Sequence, residues 1–479
     1  MVELVRRLYP GVDFDFGIVV ARRARGLEKE WGELSVARWK AAAHHRAHAA
    51  VAFYQSSFDR ALVISYDGGG NDGWFRTFIA SRKDGVQYLD DGIRINLGSA
   101  YGALAVPIQE IHTNASNTLP NAGKLMGLAA YGAPRAEWRQ AIREFYIRTL
   151  DHSGRRIRQL PTLGAAIGLD LSGPDTISGQ DAYDFAATGQ AVFEEIFFEH
   201  ALPTIAKYKL PVCLSGGCAL NVITNEKLAR TIDYPVFVPP NPNDCGLPLG
   251  AILQHFPPQY PIQITYAGVP LLDAGKLDDV CTEDDIQGAR IENVARLLAL
   301  GNIVGVARGN SEHGPRALGN RSLLCDPGNP QMKDRLNVKV KFRESFRPYA
   351  PVVRRCDAAK YFDCLDYDMS YMSFNPTVRP EWRHRIPAIV HADQTARVQT
   401  VTREQNRWLF DLLTAFEVLT GYGVLLNTSF NTKGKPILST VAEVLENLAM
   451  TDIDYAIVED RLISSSKVRD RNVASRVPI

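Results

Sequence analysis

The chain has 479 residues, of which 46% are hydrophobic and 22% charged, and its formal net charge is +1. The length predicts two domains, and the composition excludes disordered and fibrous proteins. The near-neutral charge excludes a global field that recruits nucleic acid or anionic lipid, so any anion site has to be a local cluster. The first residues resemble no signal peptide, no apolar run approaches about 18 residues, and the cysteines form no C-x-x-C pair. We therefore expect a cytoplasmic protein without a disulfide framework or zinc finger.

Short β-rich runs alternate with longer helical stretches, which predicts an α/β fold. Buried strands are predicted at residues 61–66, 211–214, 303–307 and 423–426. Apolar residues at helical spacing predict helices over residues 181–206 and 410–420. The proline-rich stretch 256–270 has to end the preceding helix, so we place the domain boundary near residue 270.

The first cluster with metal-binding chemistry is H-H-R-A-H, in an alanine-rich helical context. His44 and His48 are four residues apart, so on a helix they share one face, with Cβ atoms about 5 to 6 Å apart. That spacing allows both imidazoles to bind one metal ion. A pair of surface histidines is the alternative interpretation.

Two carboxylates occupy positions from which they could join these histidines. Asp67 follows a predicted strand and precedes three glycines, a turn whose N–H groups can approach a phosphate while the carboxylate faces a cation. A plain glycine turn is the alternative. Asp244 lies in a proline-rich loop before a helix of small residues. Two histidines and two aspartates suit Fe(II) or Zn(II), with positions left open for substrate oxygens.

Three further segments predict sites for anions and polar groups. S-G-G-C-A-L-N at residues 215–221 is a strand-to-helix turn of the kind that receives nucleotide phosphate. Residues 333–347 contain six basic side chains against two acidic ones, interleaved with apolar positions, which indicates a partly buried anion pocket. A solvated basic surface or RNA patch is the alternative. The hydroxyl and amide groups of residues 397–401 and 426–431 can hydrogen-bond a small planar carbonyl compound.

Taken in order, six motifs resemble those of the O-carbamoyltransferases of nodulation-factor and antibiotic-tailoring pathways, the NodU/CmcH family. They are H-H-R-A-H, D-G-G-G, G-K-L-M-G-L-A-A-Y-G, S-G-G-C-A-L-N, G-P-R-A-L-G-N-R-S and L-N-T-S-F-N, and they extend from about residue 40 to residue 437. The resemblance implies an actin-like ATPase (ASKHA-type) domain at residues 1–270 and a YrdC-like domain at residues 271–479. It also implies a transferase: carbamoyl phosphate loses phosphate, the carbamate attacks the α-phosphate of ATP, and the carbamoyl adenylate reacts with a small-molecule hydroxyl.

The resemblance assigns roles to individual residues by motif. A metal site, with Fe(II) preferred to Zn(II), is implied for His44, His48, Asp67 and Asp244. Contacts to ATP, which carries Mg²⁺, are implied for Gly68, Gly69, Lys124, Gly216, Gly217 and Asn221. Binding of carbamoyl phosphate is implied for Arg316, Lys341, Arg347, Arg397 and Ser429, of which the first three are also expected to be catalytic. The acceptor is expected to be a sugar, a nodulation factor or an antibiotic-like metabolite; a homodimer is left open, and neither nucleic acid nor membrane is expected as a partner.

One departure from the family pattern leaves alternatives open. Family members begin with a glycine-containing strand and an H-D-x-S-like turn, which residues 1–40 do not match, and Ala122 stands where the family has glutamate. We therefore expect an actin-like domain without its first strands, which puts transfer to the acceptor in more doubt than adenylate formation. An upstream start codon, a separately encoded fragment and a non-catalytic relative that only binds nucleotide or carbamoyl phosphate are the alternatives. An RNA-directed transferase would need a continuous basic surface, against which the net charge argues.

Overall fold

The structure is a computed structural model, and it describes residues 11–21, 34–89, 93–111, 120–147 and 156–474. Helices alternate with strands of several sheets in these ranges, which confirms the predicted α/β class. None of the helices in the described ranges combines the length and apolar character needed to cross a bilayer. The expected lack of the family's opening motif concerns residues 1–40, of which 1–10 and 22–33 lie outside the described residues.

Two parallel strands that were not predicted precede the histidine motif. Strands β1 (Phe14–Val20) and β2 (Val36–Ala42) pair only with each other. Gly17 of β1 lies against the indole of Trp39 in β2, and a Cβ at Gly17 would come within 2.4 Å of that ring. The glycine that interrupts the apolar pattern of β1 is thus the residue that lets the two strands approach.

A five-stranded sheet forms the centre of the first half of the chain. Its order is β5-β4-β3-β6-β7, with β3 antiparallel to β4 and parallel to β6. The strands are β3 (Arg60–Tyr66), β4 (Phe75–Ser81), β5 (Gly85–Leu89), β6 (Val212–Ser215) and β7 (Val236–Phe237). The strands predicted at residues 61–66 and 211–214 are confirmed as β3 and β6, and their buried apolar residues place them inside the sheet.

Eight α-helices surround this sheet in the described part of the first half. They are α1 (His44–Gln55), α2 (Leu97–Leu104), α3 (Asn121–Ala129), α4 (Ala136–Ile147), α5 (Leu160–Ile167), α6 (Gly179–Tyr208), α7 (Val222–Thr231) and α8 (Leu247–His255). The predicted helix over residues 181–206 is confirmed as α6. Helix α8 ends at His255, just before the proline-rich stretch, and no helix or strand occurs in residues 256–273.

A seven-stranded mixed sheet forms the centre of the second half, in the order β13-β10-β14-β9-β8-β15-β16. Its strands are β8 (Val304–Ala307), β9 (Arg321–Cys325), β10 (Ala350–Arg354), β13 (Gln399–Val401), β14 (Val424–Ser429), β15 (Tyr455–Val458) and β16 (Arg461–Ser464). The strands predicted at residues 303–307 and 423–426 are confirmed as β8 and β14. A separate antiparallel pair consists of β11 (Phe362–Asp363) and β12 (Thr377–Val378).

The helices of the second half begin with two short segments and continue around the sheet. They are α9 (Leu277–Val280), α10 (Glu283–Gly288), α11 (Ile291–Ala299), α12 (Met332–Lys339), α13 (Ala358–Tyr361), α14 (Pro380–Arg383), α15 (Arg407–Thr420), α16 (Val441–Met450) and α17 (Ser465–Ala474). The helix predicted over residues 410–420 is confirmed as α15. It begins three residues earlier because Asn406 caps it, accepting a hydrogen bond from the Leu409 N–H at 3.0 Å.

Candidate metal centre and anion cavity

Four side chains from three separate segments converge beside the five-stranded sheet. His44 and His48 lie one turn apart on α1, Asp67 follows β3, and Asp244 opens the turn before α8. Helix α8 reaches this position because it packs closely on α1: a Cβ at Gly250 would lie 2.1 Å from the Ala47 carbonyl oxygen. Gly250 thus permits the close approach of α8 to α1 that brings Asp244 to the histidines.

The distances between these side chains fit a single metal ion. His48 Nε2 lies 3.1 Å from His44 Nε2, 3.2 Å from Asp67 Oδ2 and 3.5 Å from Asp244 Oδ1. His44 Nε2 lies 3.8 Å and 3.7 Å from the same two oxygens. A tetrahedral ion with bonds of about 2.1 Å separates its ligand atoms by about 3.4 Å. Two imidazole lone pairs face each other favourably only across a proton or a cation, so the donor set fits a divalent metal.

The exposure of the four ligands leaves one side of the cluster open. His44 and His48 are buried, Asp67 is partly buried, and the Asp244 side chain is 70% exposed. A metal held here would therefore be accessible from the side of Asp244. An ion with open coordination positions on one side can bind a substrate oxygen.

Two glycine turns hold Asp67 in place. Its Oδ1 accepts a hydrogen bond from the Gly68 N–H at 2.6 Å, and its Oδ2 accepts one from the Gly217 N–H at 2.7 Å. Burial raises the pKa of Asp67, but its contacts with the His44 and His48 rings and the hydrogen bond from the Gly217 N–H outweigh burial and lower the pKa well below its ordinary value. Asp67 is therefore a carboxylate, ready to bind a cation.

The residues predicted to contact a nucleotide fall into two groups. Gly68, Gly69, Gly216 and Gly217 surround Asp67, and a Cβ at Gly69 would meet nothing within 4 Å. Asn221 is already used within the protein: its Oδ1 caps α7, and its Nδ2 donates to Gln190 at 2.9 Å. Gly69 thus borders open space, whereas the Asn221 side chain faces the interior.

A cavity of about 190 Å³ lies between the two halves of the chain. The second half contributes Arg316, Arg343, Arg347, Arg397 and Ser429 to its wall. The first half contributes part of the G-K-L-M-G-L-A-A-Y-G motif, on and just after α3, and the first residues of α7. One motif of the first half, G-K-L-M-G-L-A-A-Y-G, and the basic residues predicted for the anion therefore meet at one cavity.

Two arginines of the cavity carry positive charge that no carboxylate of the described residues neutralises. Among the described residues, no carboxylate pairs with Arg316 or Arg397, and the Nε atom of each is buried without a hydrogen-bond partner. Burial lowers the pKa of Arg316 to about 10. Burial, and then repulsion from Arg316, Arg347 and Arg343, lowers the pKa of Arg397. Uncompensated guanidinium groups of this kind favour a bound anion.

Lys341 lies behind the cavity wall rather than in it. Its ammonium group donates to the Ser429 carbonyl oxygen, to the Asn431 carbonyl oxygen at 2.9 Å and to Asn431 Oδ1 at 2.8 Å. These bonds occupy its three donors and hold the segment that carries Ser429. The sequence placed Lys341 with the arginines because charge alone does not reveal which groups a lysine contacts.

Lys124 and two other residues also differ from the sequence interpretation. Lys124 forms an ion pair with Glu344 at 2.7 Å and donates to the Ile111 carbonyl oxygen at 2.7 Å. Arg343 and His391 line the cavity but were not singled out. Arg343 lies in the basic run and could have been found by its alternation with Lys341, whereas nothing in the sequence around His391 marks it.

Comparisons with known proteins agree with these motifs. A family model described as the carbamoyltransferase N-terminus matches residues 33–253, and one described as the carbamoyltransferase C-terminus matches residues 295–465. The chain is 34% identical to nodulation protein NolNO of Sinorhizobium fredii over 91% of this chain and 66% of that protein. It is 33% identical to nodulation protein NolO of Bradyrhizobium diazoefficiens over 88% and 78%, respectively. The chain thus spans 66% of the length of NolNO and 78% of the length of NolO.

The chain also has a weak likeness to a solved structure. Full-length HypF in its phosphate- and nucleotide-bound form covers 52% of this chain, with 48% of HypF covered, at 15% identity and a TM-score of 0.30. That TM-score is too low to bear on the fold or the ligands of this chain.

Proposed function

This chain belongs to the carbamoyltransferase family, and from that premise we propose that it is an O-carbamoyltransferase that uses carbamoyl phosphate and ATP. The observation that carries the proposal is a cavity in which Arg316 and Arg397 have no carboxylate partner among the described residues, and whose other wall is made by two segments of the first half of the chain. We assign residues 1–270 to an actin-like domain and residues 271–479 to a YrdC-like domain. The acceptor is a small molecule with a free hydroxyl, such as a sugar, a nodulation factor or an antibiotic-like metabolite.

The first half-reaction takes place at the arginine cavity. Arg316, Arg347 and Arg397 bind the phosphate of carbamoyl phosphate, with Arg343 beside them and Ser429 on the same wall. With one water, carbamoyl phosphate gives carbamate and inorganic phosphate. A carbamate oxygen then attacks the α-phosphorus of ATP, the bond to the bridging oxygen breaks, and pyrophosphate leaves. Fixed cations stabilise the negative charge that develops in both steps, and Arg316 and Arg347 are the residues we assign to this role.

The second half-reaction takes place beside the glycine turns. Gly68, Gly69, Gly216 and Gly217 bind the adenylate, and the acceptor oxygen attacks the carbamoyl carbon while AMP leaves and the hydroxyl proton passes to solvent. His44, His48, Asp67 and Asp244 would hold a divalent metal, with Fe(II) preferred to Zn(II), which supplies Lewis-acid polarisation of a bound oxygen. The open side at Asp244 supports this assignment because an acceptor needs access from solvent.

An exchange assay tests the first half-reaction. The full chain is incubated with ATP, Mg²⁺, labelled pyrophosphate and carbamoyl phosphate, and label entering ATP is measured. We expect exchange that depends on carbamoyl phosphate, because adenylate formation is reversible. If the protein binds ATP and phosphate but shows no exchange with metal present, it is instead a non-catalytic binding protein.

A further inference from the structure

An ion pair joins the two halves of the chain at the edge of the arginine cavity. Lys124 belongs to α3, and Glu344 lies in the loop after α12 that also carries Arg343 and Arg347. Lys124 Nζ lies 2.7 Å from Glu344 Oε1, and the two side chains are only 14% and 7% exposed. Because its two side chains are nearly buried, this ion pair can fix one half of the chain relative to the other.

The same helix and loop touch at a second point. A Cβ at Gly127 of α3 would lie 3.4 Å from Cδ of Pro348, the residue after Arg347. Phe346 lies beside the same glycine, at 3.9 Å from that Cβ position. The ion pair and this close contact therefore bracket Arg347 from both sides in sequence.

Glu344 also contacts the arginine that it would position. Its Oε2 lies 3.7 Å from Arg347 Nη1, while its Oε1 receives Lys124. Burial raises the pKa of Glu344, but Lys124 and a backbone hydrogen bond outweigh burial and lower it. The carboxylate is thus ionised and bridges a cation of the first half to a cation of the cavity.

We propose that Lys124 and Glu344 are positioning residues for the anion cavity, fixing Arg347 and its loop against α3. This inference rests on the proposed function and deepens it, because it makes affinity for carbamoyl phosphate depend on contact between the two halves. It also reassigns Lys124, which the motif had placed on the nucleotide, to the phosphate side of the reaction.

The test compares the affinities of the full chain and a Lys124→Met variant for inorganic phosphate and for ATP, measured separately by calorimetry. We expect phosphate affinity to fall about tenfold, as for coupled residues in contact, while ATP affinity stays within about twofold. Lys124→Arg restores the charge and should recover most of the phosphate affinity. A loss of ATP affinity with phosphate affinity unchanged would overturn the inference and return Lys124 to the nucleotide.

Glu344→Gln separates positioning from simple electrostatics. Removing a negative charge beside Arg347 would strengthen phosphate binding if charge alone mattered, whereas loss of positioning weakens it about fivefold. In the Lys124→Met background, Glu344→Gln should have little further effect, because the pair is already broken. Tighter phosphate binding by Glu344→Gln, or fully additive effects of the two variants, would overturn the inference.

The outcome is distinguishable from failure of the proposed function. Phosphate affinity requires no turnover, so the positioning role can be tested even in a protein that shows no pyrophosphate exchange. Circular dichroism and thermal melting of each variant identify loss of fold. If Lys124→Met unfolds, the comparison can still be made with Lys124→Arg and Glu344→Gln, because both retain hydrogen-bonding groups.

Discussion

Arg316 is predicted to lower the stability of the unliganded protein while it serves the bound anion. Its Nε is buried without a partner, and among the described residues no carboxylate pairs with it. Burial lowers its pKa to about 10. That pKa corresponds to a cost of about 3 kcal/mol for carrying the charge in the folded protein at neutral pH. Arg316→Met keeps an apolar stem and removes the charge, so the free energy of unfolding should rise by about 1 to 3 kcal/mol.

The opposite result is expected for activity. A lost charge-stabilising donor lowers turnover on the order of a hundredfold or more, so carbamoyl-phosphate-dependent exchange by Arg316→Met should fall at least that far. The stabilisation that phosphate gives the parent protein in thermal melting should also be largely lost, because ligand stabilisation follows affinity. Melting with and without phosphate, together with the exchange rate, measures all three effects.

Arg321 provides the matched control. It is fully buried five residues away, and its Nε also has no partner, but its Nη1 and Nη2 atoms donate to the carbonyl oxygens of Arg308 at 2.9 Å and Gly309 at 2.8 Å. Arg321→Met leaves these acceptors without donors and should destabilise the protein by about 3 kcal/mol or more. Destabilisation by Arg316→Met of the same size, or an unchanged exchange rate, would refute the idea that Arg316 is held uncompensated for an anion.

Three further variants test other parts of the site. His48→Ala should lose about one equivalent of metal by elemental analysis. His45→Ala should retain the metal, because the His45 ring forms a hydrogen bond with Ser65 Oγ at 2.8 Å. Equal metal content in both variants would contradict the assigned ligands. Gly216→Ala should lower the free energy of unfolding, measured in urea, by about 2 kcal/mol or more. The reason is that Gly216 has φ +88° and that a Cβ there would lie 2.1 Å from the Tyr66 carbonyl oxygen. Gly69→Ala is the control and should leave the free energy of unfolding unchanged, because a Cβ at Gly69 meets nothing within 4 Å. Burial lowers the pKa of His391 to about 4. As the pH drops from about 6.5 to 4, His391 is therefore protonated in the unfolded chain before it is protonated in the folded one, and the free energy of unfolding falls. His391→Gln should reduce this pH dependence, and an unchanged dependence of the free energy of unfolding on pH would place His391 in solvent.

The candidate metal ligands could be predicted from the sequence because local geometry largely determines where they point. Helical spacing puts His44 and His48 on one face, and Asp67 follows directly from the end of a buried strand. Asp244 was predicted from its proline-rich loop and from the family resemblance. Its approach to the histidines depends on the close packing of Gly250 on Ala47, a contact between residues distant in sequence.

The contacts of individual charged residues could not be predicted in the same way. Lys124 and Lys341 were both assigned to substrates from the family resemblance, Lys124 as part of a family motif and Lys341 as part of the basic run at residues 333–347. The partner of Lys124, Glu344, is 220 positions away, and the acceptors of Lys341 are largely backbone carbonyls, which carry no sequence signal. Long-range pairs and backbone acceptors are set by tertiary packing, so a sequence indicates a basic cluster but not which of its members face the cavity.

The formation of carbamoyl adenylate is the central claim, and it can be observed directly. The full chain is incubated with carbamoyl phosphate, ATP, Mg²⁺ and Fe(II), the reaction is quenched, and the nucleotides are separated and identified by mass spectrometry. We predict carbamoyl adenylate, or AMP derived from it, together with an equimolar amount of pyrophosphate. ADP and phosphate as the products would contradict the account, because they require attack at the γ-phosphate rather than at the α-phosphate.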